Sequence, residues 1–345
     1  MRVRTLRRIV VAALCGGILV AACVTLVLGW RSLGAPMDVA ADGDRLDVVP
    51  GTSLTRISEE LSRRGILEAA WALNAYARFS GDAIRVHAGE YLIASGTSPR
   101  ELLDQLVSGR VYLYDLTIIE GWTFADMVMA LGSHEAVDAR GFDPQTVMAE
   151  LGRPGLHPEG QFYPDTYRFP RGTPAVAILR QAHEAMQNLL EEAWDQYRAT
   201  TVLETRYDAL TLASIIEKET ALNEERRRIS GVFHRRLERG MRLQADPTVI
   251  YGLGDDFDGD LRRADLSRDT PYNTYTRSGL PPTPIALPGR QSLSAAVDPA
   301  PGSELYFVAT GQGDGSHYFS TTLDEHREAV DRYQSGPPIA GTAER

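Results

Sequence analysis

The stretch most suggestive of chemistry is Leu210-Thr-Leu-Ala-Ser-Ile-Ile-Glu217-Lys-Glu-Thr220. Asp208 reads as the N-cap of a helix that carries Glu217. Helical spacing surrounds Glu217 with Ala213, Ser214 and Ala221, which are small or weakly polar. Glu219 falls about 200° around the wheel, beside Ile215 and Ile216. A carboxyl group over a small-residue face suits the floor of a cleft. Partial burial there would raise its pKa and keep it protonated, as a general acid requires. The same pattern also fits a glutamate on an ordinary amphipathic helix, and spacing alone leaves both readings open.

Lys218 is the only lysine among 36 Lys and Arg residues. A compact charge with a tunable pKa could adjust the Glu217 site or form a Schiff base, and a chance survivor reads equally well. Two polar-aromatic stretches follow: Met241-Arg-Leu-Gln244-Ala-Asp246-Pro-Thr248-Val-Ile-Tyr251-Gly and Pro271-Tyr272-Asn273-Thr274-Tyr275. Rings that pack on sugar faces, with amides that fix hydroxyls, suit glycan binding. Capped loops with core tyrosines would read the same way.

Other constellations fail. The seven histidines form no H-E-x-x-H, and His317 and His326 are too loosely spaced to argue a metal. Asp256-Phe-Asp258-Gly-Asp260 opens like a calcium loop but has Leu261 at the turn-glycine position and Ser267 at the bidentate-acid position, so it reads as a surface hairpin. No G-x-S-x-G or phosphate-cradling loop is present. Neither a metal nor a cofactor is expected.

The elements that must position these residues are short. Leu46-Asp47-Val48-Val49, Glu90-Tyr91-Leu92-Ile93 and Leu113 to Ile119 each lead through a glycine turn and a Ser/Thr cap to a helix. Their apolar positions are Leu54, Ile57 and Leu61; Leu102, Leu103 and Leu106; Met127 and Leu131. These units resemble LysM modules in outline, and a generic α+β subdomain fits equally. From Phe142 to Ala199 the chain reads as mainly helical, broken by the irregular segment Pro158 to Tyr167. A helix from Asn223 to Arg239 stops at Gly240. Leu305 to Ala309 and His317 to Ser320 read as strands, and the tail after Ser335 as disordered.

The N-terminus sets the compartment. Residues 1–31 hold five Arg and no acid, which leaves 31 cations against 46 anions in the remainder. Such a body is a poor nucleic-acid binder, and it would meet an anionic polymer only through local contacts. Ile9 to Trp30 is uncharged and long enough to span a bilayer. The preceding arginines place the N-terminus in the cytoplasm, with Trp30 at the far interface. A cleaved or lipidated signal at Val20-Ala-Ala-Cys23 is the rival, but the apolar run continues past it. Both cysteines, Cys15 and Cys23, lie in this run, so the outer body has no thiol chemistry.

The expected organisation is α+β: a cytoplasmic tail (1–8), a transmembrane helix (9–30), a tether (31–45), a small LysM-like α/β subdomain (46–135), a larger mixed α+β catalytic domain (136–334) and a disordered tail (335–345).

At six strings the chain resembles the endolytic murein transglycosylase family, also called YceG-like. They are Ala213-Ser-Ile-Ile-Glu-Lys-Glu-Thr220, Met241 to Gly252, Pro271-Tyr-Asn-Thr-Tyr275, Gly279-Leu-Pro-Pro282, Leu305-Tyr-Phe-Val-Ala309 and Glu159-Gly-Gln-Phe-Tyr163-Pro-Asp165-Thr-Tyr167. With the anchor and the strand–helix units, the resemblance covers nearly everything except tether and tail. It implies that Glu217 is the catalytic glutamate and that the MurNAc–GlcNAc linkage of nascent peptidoglycan strands is cut without water. One carboxyl group can serve both steps, first protonating the glycosidic oxygen and then taking the proton of the muramic C6 hydroxyl as it closes onto C1. A hydrolase would ordinarily want a second carboxylate across the bond. Asp165, Asp246 and Glu219 are conceivable, but none can be placed. Gln244, Asp246, Asn273, Tyr275, Tyr163 and Asp165 are the candidates for gripping sugar. The implied setting is the inner membrane with the catalytic domain outside, among peptidoglycan synthases. A non-catalytic glycan-binding scaffold and a lysozyme-like hydrolase are the alternatives.

Overall fold

The computed structural model describes residues 2–199 and 201–334, with the side chains of residues 2–7, 9 and 10 left aside. The tail expected to be disordered therefore lies outside the described residues. The chain divides into two units. One is the chain up to Tyr114 with Phe169–Gly172; the other is Asp115–Arg168 with the chain from Thr173 on. Both mix helix and strand.

In the first unit, helix α1 (Arg2–Gly34) contains Val11–Gly34, 24 residues of mean hydropathy 2.6, long and apolar enough to cross a membrane. It is followed by β1 (Asp44–Val48), α2 (Leu54–Arg63), α3 (Ala70–Ser80), β2 (Gly89–Ile93) and α4 (Pro99–Ser108). Strands β1 and β2 pair antiparallel, with Leu46 opposite Tyr91. Ser53 caps α2, and Ser98 with Glu101 forms a capping box on α4, as the Ser/Thr signals foretell. Leu54, Ile57, Leu61, Leu102, Leu103 and Leu106 form the core with Tyr91 and Ile93.

The tether is not free. Leu33 and Met37 are buried in that core, and the Met37 N–H donates to Thr97 O at 2.9 Å. Trp30 meets Tyr76 edge-on, and the Arg100 guanidinium lies over both rings. Apolar side chains in a short connector are stabilised by burial, which outweighs the freedom expected from its glycines.

In the second unit the order is β3 (Leu113–Thr117, shared at its start with the first unit), α5 (Phe124–Ser133), β4 (Val137–Asp138), α6 (Val147–Glu150), β5 (Thr166–Pro170, likewise shared) and β6 (Thr173–Pro174). Then come α7 (Ala175–Tyr197), α8 (Arg206–Glu219), α9 (Asn223–Glu238), α10 (Asp246–Leu253), α11 (Arg263–Ser267), α12 (Arg290–Val297), the antiparallel ribbon β7 (Tyr306–Ala309) and β8 (His317–Ser320), and α13 (Leu323–Gln334). Two sequence expectations fail here. Between Phe142 and Pro174 only one helical turn forms, because glycines and prolines repeatedly interrupt it. The Asp255–Asp260 segment is not a hairpin: a 3₁₀ turn at Gly254–Asp256 leads into irregular chain, since no second apolar strand is there to pair with.

Helix α8 is the centre of this unit. Ala209 through Ile216 are all buried, and α7, α9, α10 and α12 pack around it. A helix buried on every side has no solvent face, so only its end can present charged groups.

Candidate active site

Helix α8 begins one turn earlier than the sequence suggests. Thr205 is the N-cap and Asp208 completes the capping box, its N–H donating to Thr205 Oγ1 at 3.1 Å. The helix ends at Glu219, with Thr220 extended. Glu217 and Glu219 thus both lie in the last turn, where unpaired carbonyls make negative charge costly. They face different surroundings.

The Glu217 side chain is 6% exposed and doubly held. Arg226 Nη2 donates to its Oε1 at 3.1 Å, and the Gly289 N–H donates to its Oε2 at 2.9 Å. Arg226, equally buried, also donates to Asn223 Oδ1. The Glu120 carboxyl group occupies the space where a Cβ on Gly289 would stand. Burial raises the Glu120 pKa, Glu217 adds to the rise, and Arg226 opposes it. Lys218 is exposed, and its Nζ donates to Gly121 O at 3.1 Å. Gly121 has φ +79°, and the turn is fastened again by Gly121 N–H to Leu287 O (2.9 Å) and Leu287 N–H to Trp122 O (2.7 Å). The lone lysine is therefore a strap on the Glu120–Trp122 turn.

Glu219 lines a cavity of about 510 Å³. Gln244, Asp246 and Tyr275 line it too, joined from the C-terminal ribbon and α13 by Tyr306, His317 and His326. Burial pushes the Glu219 carboxyl up to about 8; the Asp246 charge adds to this and Arg236 opposes it. The Tyr275 hydroxyl donates to Asp246 Oδ1. Arg236 is buried, its Nε on Leu305 O (2.7 Å) and Nη1 on Leu243 O (2.6 Å). It is a fixed cation beside an acid that is neutral near pH 7. Gln244 has φ +50°, the one non-glycine in the left-handed region among the described residues. Strain at such a position accumulates where function fixes the backbone.

The remaining expected sugar-gripping residues are elsewhere. Asn273 is fully buried, its amide donating to Asp265 O, Leu266 O and Arg268 O while its Oδ1 accepts the Tyr275 N–H. It shapes the loop that presents Tyr275 and has no hydrogen left for a sugar. Tyr163 packs on the core, and its carbonyl accepts the Tyr167 hydroxyl at 2.6 Å. Asp165 accepts the Thr166 N–H at 2.7 Å. Neither lines the cavity, and nor does Glu217.

Sequence reasoning passed over Arg236, His317 and Glu159. Glu159 is 3% exposed and accepts the Phe124 N–H at 2.9 Å and the Tyr251 hydroxyl at 3.0 Å. Burial pushes its carboxyl up to about 7 against those bonds. Its place at the head of Glu159-Gly-Gln-Phe-Tyr was the available signal. Arg236 sits in an arginine-rich helix and carried none.

A model of the YceG-like family matches residues 46–332. An endolytic murein transglycosylase of Bacillus subtilis (strain 168) is 30% identical over 309 residues, covering 84% of each chain. One of Streptococcus pneumoniae (strain D39) is 26% identical over 314 residues; the match covers 81% of this chain and 56% of that relative. Among solved structures, a yceG-like protein of Listeria monocytogenes superposes with a TM-score of 0.53 at 28% identity, covering 84% of this chain and 99% of that one.

Proposed function

Because the chain belongs to the YceG-like family, we propose that it is a lytic transglycosylase that cuts MurNAc–GlcNAc linkages within peptidoglycan strands, with Glu219 as its general acid and base. The observation that carries the residue assignment is the cavity: of the two glutamates in Glu-Lys-Glu, Glu219 lines it, together with Gln244, Asp246 and Tyr275. Its volume of about 510 Å³ suits a sugar-sized ligand.

The chemistry follows from the environment of Glu219. With its carboxyl pushed up to about 8, it carries a proton at neutral pH and can give it to the glycosidic oxygen as the C1–O bond breaks. The carboxylate left behind sits at a helix C-terminus near Asp246, which makes it a strong base. It then takes the proton of the muramic C6 hydroxyl as that oxygen closes onto C1. The strand ends as anhydro-MurNAc, water does not enter, and Glu219 is again protonated. Tyr275 and Gln244 are the sugar contacts, and Arg236 limits the cost of the charged intermediate state.

Glu217 as the acid is the second reading. One observation favours it: Glu120 brings a second carboxyl group to the same glycine, Gly289, that binds Glu217. A carboxyl pair suits hydrolysis. Mass spectrometry of digested strands separates the readings. Anhydro ends that vanish with Glu219→Gln and persist with Glu217→Gln support the first; the reverse pattern, or reducing ends from the unmodified protein, sinks it.

Helix α1 is the anchor in this reading, with the N-terminus in the cytoplasm because Arg2, Arg4, Arg7 and Arg8 precede the apolar run. A protease added outside intact spheroplasts should then digest the body. Protection of the body would reverse the orientation. The antiparallel β1 and β2 enclosing α2 and α3 support a LysM-like glycan-holding role for the first unit.

A further inference from the structure

Glu225 and His317, far apart in sequence, form a pair at the same cavity. Glu225 lies in the first turn of α9 and is 7% exposed; His317 opens β8, in register with Ala309. Glu225 Oε1 accepts the His317 backbone N–H at 2.9 Å, and Oε2 lies 2.7 Å from His317 Nδ1. The ring is further held edge-on against Phe307, at 5.4 Å between centroids. In the neutral ring a carboxylate on Nδ1 requires the hydrogen to be there, which leaves Nε2 as the lone-pair nitrogen. Among the described residues no protein group meets Nε2, and it is not sealed from solvent, unlike His326 Nδ1 nearby. An imidazole clamped at two points, with a free acceptor and a place in the wall of the cavity that holds Glu219, is built to meet a hydroxyl group.

We propose that His317 is a further catalytic residue, whose Nε2 accepts the hydrogen of the muramic C6 hydroxyl and aims that oxygen at C1, with Glu225 as its positioning residue. The proposal rests on the reading of this cavity as the site of strand cleavage. Both proton transfers remain with Glu219. Before cleavage Glu219 still holds its own proton and the C6–O–H hydrogen rests on Nε2; once Glu219 is a carboxylate, that hydrogen turns from Nε2 to it and leaves as the new O–C1 bond replaces the broken glycosidic one, and nothing is oxidised or reduced. What His317 decides is the competition at C1 between the tethered hydroxyl and water, since orientation gives an intramolecular nucleophile its advantage.

The test is the product ratio. His317→Asn keeps a nitrogen for Glu225 but withdraws the acceptor from the cavity; His317→Gln can return an acceptor oxygen close to the Nε2 position. Full-length protein in detergent is given uncrosslinked glycan strands, and anhydro and reducing ends are counted by mass spectrometry beside kcat and KM. His317→Asn should lower kcat about tenfold, the loss of one oriented hydrogen bond, with little change in KM, and should yield reducing ends. His317→Gln should restore part of the anhydro share; Glu225→Gln, which loosens the ring without removing it, should raise the share of reducing ends as His317→Asn does. If the Asn variant melts early, the Glu225→Gln ratio decides. Products that stay wholly anhydro-ended in the variant that decides overturn the proposal, whatever their rate. Retained cleavage by Glu219→Gln would instead remove the acid assignment, a separate failure, because the ratio is measured with Glu219 intact.

Discussion

Glu217 and Glu219 are separated by one residue, yet one is locked in a buried ion pair with Arg226 at 3.1 Å and the other lines an open cavity. The difference comes from the helix end they share. Two residues advance the wheel by about 200°, so one carboxyl group turns toward α9 and Gly289 while the other turns toward the C-terminal ribbon.

Exchanging each glutamate separates their roles. Glu219→Gln should lose about 10² to 10⁴ in kcat, the range of a general acid–base group, without loss of fold. Glu217→Gln should lower the thermal midpoint, because it leaves the buried Arg226 short of its charged partner. Loss of cleavage by Glu217→Gln at an unchanged midpoint would contradict this division.

Activity should fall as pH rises through about 8, where Glu219 loses the proton it must donate. Stability should move in the same direction. The folded protein holds this proton up to about 8 while the unfolded chain releases it in the ordinary carboxyl range, so stability declines with rising pH between the two. Glu159, pushed up to about 7, adds a decline of the same sign. Urea melts across that range should show a shallower slope for Glu219→Gln than for the unmodified protein; equal slopes would contradict the assignment.

In the first unit, Glu90 behaves oppositely. Burial works against its charge, but Arg171, Tyr114 and Arg45 overcome that and hold the carboxyl below its usual range. Its contribution is therefore present above the ordinary carboxyl range and lost as pH falls through the lowered value. Glu90→Gln should lower the thermal midpoint at neutral pH, and the gap from the unmodified protein should close in acid. A gap that widens in acid would refute the pairing.

Lys218→Met should keep most of its activity and lose at most about 1 kcal/mol of stability, the net worth of one hydrogen bond to Gly121 O. Trapping with borohydride and a carbonyl compound should leave no adduct required for cleavage. An activity that vanishes with Lys218→Met while the fold survives would revive a chemical role for the lysine.

The amino-acid sequence alone determined the local features. The apolar run of α1, the Ser53, Ser98 and Thr123 caps, and the strands around Leu46, Tyr91, Phe307 and Phe319 all depend on neighbours a few residues away. The motif strings also marked Gln244, Asp246 and Tyr275, and they meet in one cavity. Which glutamate of Glu-Lys-Glu faces that cavity was not legible, because a helix buried on all sides carries no amphipathic stripe to orient it. Asn273 looked like a sugar contact because an amide advertises hydrogen bonds without naming the partner; the turn around it takes every one. The Glu225–His317 pair spans 92 residues and exists only because the β7–β8 ribbon comes back beside α9. Long-range placement of this kind is set by packing of the whole core, and no local spacing encodes it.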